Sequence, residues 1–265
     1  MFDPVNYALS LSQLIIGVNN LEIYNSNDFL TDSPAAPIMT ITADDNPPSC
    51  HGICFADSPC DHVLFGENGY GQILCADRNW ENAVLYTSGR KDPENALVLA
   101  ALCSRLSFFD TLLFHASLVD YRGHGVLFTG YSGVGKTTQA ELWAKYMGAD
   151  IVNGDKVLVR HTSDGWFAYG LPWKGSSPYC LNRRLPLAGI TVLGQAKANS
   201  IRPLSEPEIM RECFPHIFLP AWDEACVDAA AGTFSSLISS VPVLKLSCLP
   251  DEQAVRMTAD CLHLL

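Results

Sequence analysis

Val126-Leu127-Phe128-Thr129-Gly130-Tyr131-Ser132-Gly133-Val134-Gly135-Lys136-Thr137-Thr138-Gln139-Ala140-Glu141-Leu142-Trp143-Ala144 is an apolar run, a glycine turn and a helix-forming stretch in succession. Its middle satisfies Gly-x-x-x-x-Gly-Lys-[Ser/Thr], and its flanks supply the strand and helix that a phosphate-binding loop requires. Glycines let backbone N–H groups curl around phosphate oxygens, and the start of a helix adds partial positive charge. Gly130, Ser132, Gly133, Val134, Gly135, Lys136, Thr137 and Thr138 are therefore the candidate nucleotide-binding residues. Within them Lys136 would reach the outer phosphates and Thr137 would hold Mg²⁺.

Outward from the loop, Leu112–Val119 reads as a strand joined to strand 126–129 by the short turn Tyr121-Arg122-Gly123-His124-Gly125. So short a link predicts an antiparallel hairpin, because parallel neighbours need a long crossover. The usual doubly wound phosphate-loop folds surround the loop with parallel strands, so a different class is expected: an α/β protein with a mixed sheet. Downstream, helix 136–147 leads to a strand at 150–153 and a hairpin of strands 157–160 and 166–169. A strand at 189–193, helices near 206–218 and 223–239, a strand at 243–246 and a closing helix capped by Asp251 complete the core. Residues 1–88 form a β-rich region, expected as an antiparallel sheet or half-barrel, with short runs at 14–18, 38–42, 62–65, 72–75 and 83–87. A helix capped by Asp92, with Pro93 at its first position, opens the second region, 89–265.

The chain has 265 residues, 48% of them hydrophobic, and a formal net charge of −11, enough apolar material for a core without disulfides. No basic run offers a face to nucleic acid, and no apolar run reaches the length of a membrane span. Met1-Phe2-Asp3-Pro4 lacks the basic start of a secretory signal, so a cytoplasmic location is expected. The ten cysteines then read mostly as small buried hydrophobes. Cys50, Cys54 and Cys60 with His51 and His62 are the one cluster resembling a metal site, at a spacing that matches no zinc pattern.

A phosphate loop needs an acidic partner for its metal. Asp155, in Asn153-Gly154-Asp155-Lys156 after strand 150–153, is the candidate, although Asn-Gly-Asp is also ordinary turn chemistry. His115, in the strand before the loop, is a candidate for the chemistry, though a lone histidine in an apolar strand is commonly a core residue. Tyr169-Gly170-Leu171-Pro172-Trp173-Lys174-Gly175-Ser176-Ser177 combines turn formers, a cation and hydroxyls. It suits either a loop that grips a phosphate or acceptor hydroxyl, through Lys174 and Ser176, or a rigid turn that buries Trp173. Arg183 and Arg184 form a pair that suits an anionic group or a solvated face.

His115-Ala116-Ser117-Leu118-Val119-Asp120, the glycine turn, residues 125–137 and Asn153-Gly154-Asp155-Lys156-Val157 together resemble the catalytic core of the HPr kinase/phosphorylase family. That family shares its core fold with phosphoenolpyruvate carboxykinase and phosphorylates a serine on a small phosphocarrier protein. The chain is more similar still to the smaller peptide-kinase relatives, including serine kinases of lasso-peptide gene clusters. The resemblance implies an ATP- and Mg²⁺-dependent phosphotransferase acting on a hydroxyl, with Lys136 and Thr137 at the β/γ-phosphates, Asp155 at the metal and His115 near the transferred phosphate. The implied partners are a nucleoside triphosphate and a serine or threonine of a peptide or small protein. A small-metabolite hydroxyl kinase and a nucleotide-binding regulatory protein without catalysis are the alternatives. The family's hexamers make a homo-oligomer a possible assembly. The family carries two consecutive acidic residues where this chain has Gly154-Asp155, the first being the base that takes the serine proton. That base is missing here.

Overall fold

The computed structural model describes residues 6–45, 60–66, 71–87 and 95–265, which divide into two compact units, 1–106 and 107–265. Cys50, His51 and Cys54 of the cysteine–histidine cluster and the helix-start residues Asp92 and Pro93 lie outside the described residues.

In the first unit, β1 (Asn6–Leu11), β2 (Leu14–Asn19), β3 (Met39–Asp44), β4 (His62–Phe65), β5 (Ile73–Ala76) and β6 (Asn82–Tyr86) form one sheet in the order β1-β2-β3-β6-β5-β4. The expectation of an antiparallel sheet is corrected: β3 runs parallel to both β2 and β6. The long connection 20–38 makes the first parallel pairing feasible, as a short turn could not. Helix α1 (Ala96–Ser107) counts almost wholly with this unit rather than with the second region. Arg105 fastens it, donating to the carbonyls of Ile38 (2.9 Å) and Asn79 (3.0 Å) and pairing with Glu81 (3.0 Å).

The second unit contains β7 (Thr111–Tyr121), β8 (His124–Thr129), α2 (Lys136–Met147), β9 (Asp150–Asn153), β10 (Lys156–Thr162), β11 (Gly165–Tyr169) and β12 (Arg184–Gln195). It continues with β13 (Ser200–Pro203), α3 (Glu206–Glu212), α4 (Glu224–Ser240), β14 (Val243–Cys248) and α5 (Glu252–Cys261). The strand order is β11-β10-β7-β8-β12-β14-β13, with β9 also on β7 and β11 also on β12, so five strands close a ring. The hairpin expected from the sequence is present: β7 and β8 are antiparallel around Arg122-Gly123, both left-handed at φ 53° and 83°. β8–β12 and β12–β14 are parallel, which makes the sheet mixed and the protein α/β.

Period-two alternation along β7 and β8 feeds two apolar layers, because both faces of this sheet are covered. Phe114, Ala116, Leu118 and Leu127 point to the layer under α4, with Phe234 and Leu237. Val119, Tyr121, Val126 and Phe128 point to the other, against Trp143 of α2 and Val255 of α5. The single helix expected near 206–218 is broken: α3 stops at Glu212, and Pro215 lies in a separate 3₁₀ turn, Phe214–His216. Strand β13 had no signal in its sequence, being four residues long and exposed on both faces. Among the described residues, no helix is long and apolar enough to cross a membrane.

Candidate functional site

β7, eleven residues long, is the hairpin partner of the loop's strand, and its edge away from β8 is shared. β10 pairs with its first half, Thr111–His115, and β9 with its second, Leu118–Asp120. The chain passes from one to the other at Gly154-Asp155. Ala116 donates its N–H to the Asp155 carbonyl (2.9 Å). Asp155 is therefore set beside His115 by strand register, and the two candidates share one edge of β7 instead of lying on opposite sides of the loop strand.

Asn153, fully buried, locks the bend. Its Oδ1 accepts the N–H groups of Asp155 (2.9 Å) and Lys156 (3.1 Å), an Asx turn, and its Nδ2 donates to the carbonyls of Leu171 (2.8 Å) and Trp173 (3.2 Å). The turn reading of Asn-Gly-Asp holds, and the same turn fixes the position of Asp155. Trp173 is buried and not exposed, so the 169–177 segment is a rigid turn around it.

The phosphate loop opens into α2 through Gly133 (φ 76°) and Gly135 (φ 110°), a backbone shape that side chains disfavour. Gly135 occupies the cap position of α2 and offers no side chain to its N–H groups, which remain available to an anion. Ser117 donates its hydroxyl to the Lys136 carbonyl (2.8 Å) and Thr137 donates to the Gly154 carbonyl (3.2 Å), tying the helix start to β7 and to the bend. Lys136 is buried, with its Nζ donating to the carbonyls of Gly130 (3.0 Å) and Tyr131 (3.3 Å). Burial lowers the Lys136 pKa, and the nearby Asp155 charge opposes the shift.

An open cleft of about 480 Å³ brings these parts together. It is lined by the loop, through Ser132, Gly133, Gly135, Lys136, Thr137 and Thr138, by His115, Gly154 and Asp155, and by Ser176, Ser177 and Pro178. His115 Nε2 lies 3.1 Å from Asp155 Oδ1, and Lys156 Nζ bonds Oδ2. Burial pushes the Asp155 carboxyl up, but the hydrogen bonds and charges of His115 and Lys156 outweigh it and hold the pKa at about 2. Asp155 is ionised at any ordinary pH.

Gly130, Val134 and Lys174 do not line the cleft. Val134 instead packs its Cγ1 against Gly130, and Lys174 accepts the Ser177 N–H at its carbonyl. The arginine pair is also elsewhere. Arg183 joins Asp120 (2.6 Å) to Asp150 (2.8 Å), and Arg184 stacks over Phe167 and pairs with Asp164 (3.3 Å). Both are taken up by the β7–β9 and β11–β12 seams. Arg183→Ala should accordingly lower stability by about 1 kcal/mol, the scale of a half-exposed ion pair, and leave nucleotide affinity unchanged in calorimetry.

His216 was not found from sequence. It is buried, its Nε2 has no hydrogen-bond partner among the described residues, and its ring stands edge-on to Tyr131 at 5.1 Å. Burial lowers its pKa, helped by the charges of Lys136, His115 and Lys245. Nothing periodic marks Phe214-Pro215-His216, and only the tertiary fold carries it to the loop. Ser177 was also missed as a packing group. A Cβ built on Gly154 would lie 2.0 Å from Ser177 Oγ and 2.6 Å from its Cβ, so the serine fills the space beside the bend.

The fold and site define an α/β phosphate-loop protein with a mixed sheet. No protein-family model matches the chain. It is 28% identical over 154 residues to HPr kinase/phosphorylase of Bacillus cereus strain AH820 and of Bacillus anthracis, a match covering 58% of this chain and 47% of the relative. For Bacillus cereus strain B4264 the identity is 27% over the same length. The chain spans about half the length of the curated relatives it matches. A solved HPr(Ser) kinase/phosphatase from Coxiella burnetii aligns at a TM-score of 0.33 and 11% identity, covering 57% of this chain and 92% of that one. Over the matched stretch the chain is thus similar to HPr kinase/phosphorylases.

Proposed function

We propose that the protein transfers the γ-phosphoryl group of ATP to a hydroxyl, a serine or threonine of a peptide or small protein. The observation that carries this reading is the His115–Asp155 pair, at 3.1 Å, in a cleft that the phosphate loop also lines. Lys136 and the α2 N–H groups hold the outer phosphates and neutralise charge that builds up during transfer. The hydrogen bonds of His115 and Lys156 hold the Asp155 carboxyl well below the usual carboxylate range, which makes it the weaker base of the pair. With Nε2–H given to Asp155, His115 presents Nδ1 as the proton acceptor, and Asp155 orients the ring and stabilises the imidazolium.

The residues suit Mg²⁺. Thr137 and Asp155 both line the cleft and offer a hydroxyl and an ionised carboxylate, the oxygen set this ion takes alongside substrate phosphates. When bound it would screen the charge of the phosphoryl oxygens. Asp155→Asn should weaken Mg²⁺-dependent nucleotide binding on the order of 10-fold or more, read by calorimetry with and without the ion. Equal affinities would remove Asp155 from the metal role.

The missing acidic residue at Gly154, with Ser177 in its space, favours a second reading: a regulatory protein that holds nucleotide and transfers nothing. Incubation with γ-labelled ATP and Mg²⁺, against a peptide fraction and a metabolite fraction, separates the readings. Label in peptide is the expected result. Label in metabolites alone makes the acceptor a small molecule. Nucleotide that binds while neither fraction nor water receives phosphate establishes the second reading.

A further inference from the structure

Besides the phosphate loop, the cleft is lined by two further hydroxyls of the protein, those of Ser176 and Ser177. Asn153 clamps the start of the segment that carries them through the carbonyls of Leu171 and Trp173, and Ser177 closes its turn by donating its N–H to Lys174 O (3.0 Å). Gly175, left-handed at φ 56°, lies directly on Asp155: a Cβ there would be 2.7 Å from Oδ2 and 2.8 Å from Cγ. Ser176 follows directly, its Cα about 3.8 Å further along the chain. The two serines differ in freedom. Ser177 is buried, and its Oγ accepts the Tyr179 N–H (3.2 Å). Ser176 is exposed, and it lines the cleft.

We propose that Ser176 is a phosphoryl acceptor in cis, a modification site that the protein itself fills; this rests on the phosphotransferase reading above. Phosphoryl transfer needs attacking and leaving oxygens roughly in line. Ser132 and Thr138 belong to the loop that holds the donor's phosphates, so they are on the leaving-group side. Ser176 lines the same cleft from a separate segment of the chain. In the step, Ser176 Oγ forms the new O–P bond as the bridging O–Pγ bond of the nucleoside triphosphate breaks, the electron pair leaves with the nucleoside diphosphate, and the serine proton passes to His115. The product adds roughly −1.5 to −2 charge to the cleft that Asp155 also lines. That charge repels the next triphosphate, so the modification limits the site that made it.

The test is intact mass and peptide mapping of the full chain after incubation with Mg²⁺ and ATP. One phosphoryl group on Ser176 is expected, at a rate per molecule independent of protein concentration. Ser176→Ala should lack the added phosphoryl group. A wild-type protein that phosphorylates water or peptide but never Ser176 overturns the inference and leaves the phosphotransferase reading intact. A rate rising with protein concentration overturns the cis route. Absence of transfer to any acceptor overturns both. A binding measurement stands beside these: Ser176→Cys, alkylated with iodoacetamide, should be protected by Mg²⁺-nucleotide. At about ten times Kd the labelling should slow roughly tenfold, the factor 1 + [L]/Kd. Equal labelling rates would show that Ser176 does not face the bound phosphates.

Discussion

Lys136→Ala is expected to lower nucleotide-dependent turnover by about 10²–10³-fold, the usual loss when one preorganised group that stabilises transition-state charge is removed. The ammonium is held in place before any ligand arrives. Its donations to Gly130 and Tyr131 (3.0 and 3.3 Å) fix it inside the loop, and burial has removed much of its water. A desolvated, prealigned cation interacts more strongly with phosphate than an exposed lysine would. The fold should survive the change. Each lost hydrogen bond is worth about 1 kcal/mol, and alanine is the better helix former at the first position of α2. Turnover and thermal denaturation measured together therefore separate the two effects. Full turnover in the alanine variant would remove the phosphate loop from the chemistry and the proposed function with it. A large drop in melting temperature would assign the lysine a structural role instead.

The parts legible in the sequence were those whose cause is local. Glycine spacing, the Lys-Thr pair and the flanking periodicities fixed α2 at Lys136–Met147 and β9 at Asp150–Asn153 to the residue, and the short turn gave the β7–β8 hairpin its direction. His115 and Asp155 could be nominated one at a time, but their pairing depends on how two short strands divide one edge of β7. No periodicity encodes that division. Arg183 and Arg184 show the opposite failure. Their sequence left an anion site and a solvated face both open, because their partners, Asp120, Asp150 and Asp164, are set against them only by strand pairing. Asn153 is the residue whose signal was present and underused. An asparagine before Gly-Asp is a turn former, and here the same side chain also clamps the Leu171 and Trp173 carbonyls of the segment that leads to Ser176.

Restoring the doublet seen in the family that this chain resembles, by Gly154→Asp, should destabilise the protein by about 1–3 kcal/mol, the cost of overpacking a filled space. The reason is the 2.0 Å approach to Ser177 Oγ, with Ser177 held by its own turn and by Tyr179 N–H, so that neither side can retreat cheaply. In a unit of this size each kcal/mol lowers the melting temperature by roughly 2–4 °C. Ser177→Gly removes both clashing atoms, and in the double variant Gly154→Asp/Ser177→Gly most of that loss should be recovered. The two changes should couple by about 0.5–3 kcal/mol in a double-mutant cycle. Additive losses would show that Ser177 does not occupy the space of the missing acid. The double variant also decides where the proton goes. If His115 takes it, as proposed, a new carboxylate at residue 154 leaves turnover near the wild-type rate. A gain of about 10²-fold, the lower range for an added general base, would instead make proton removal the limiting step that Gly154 imposes.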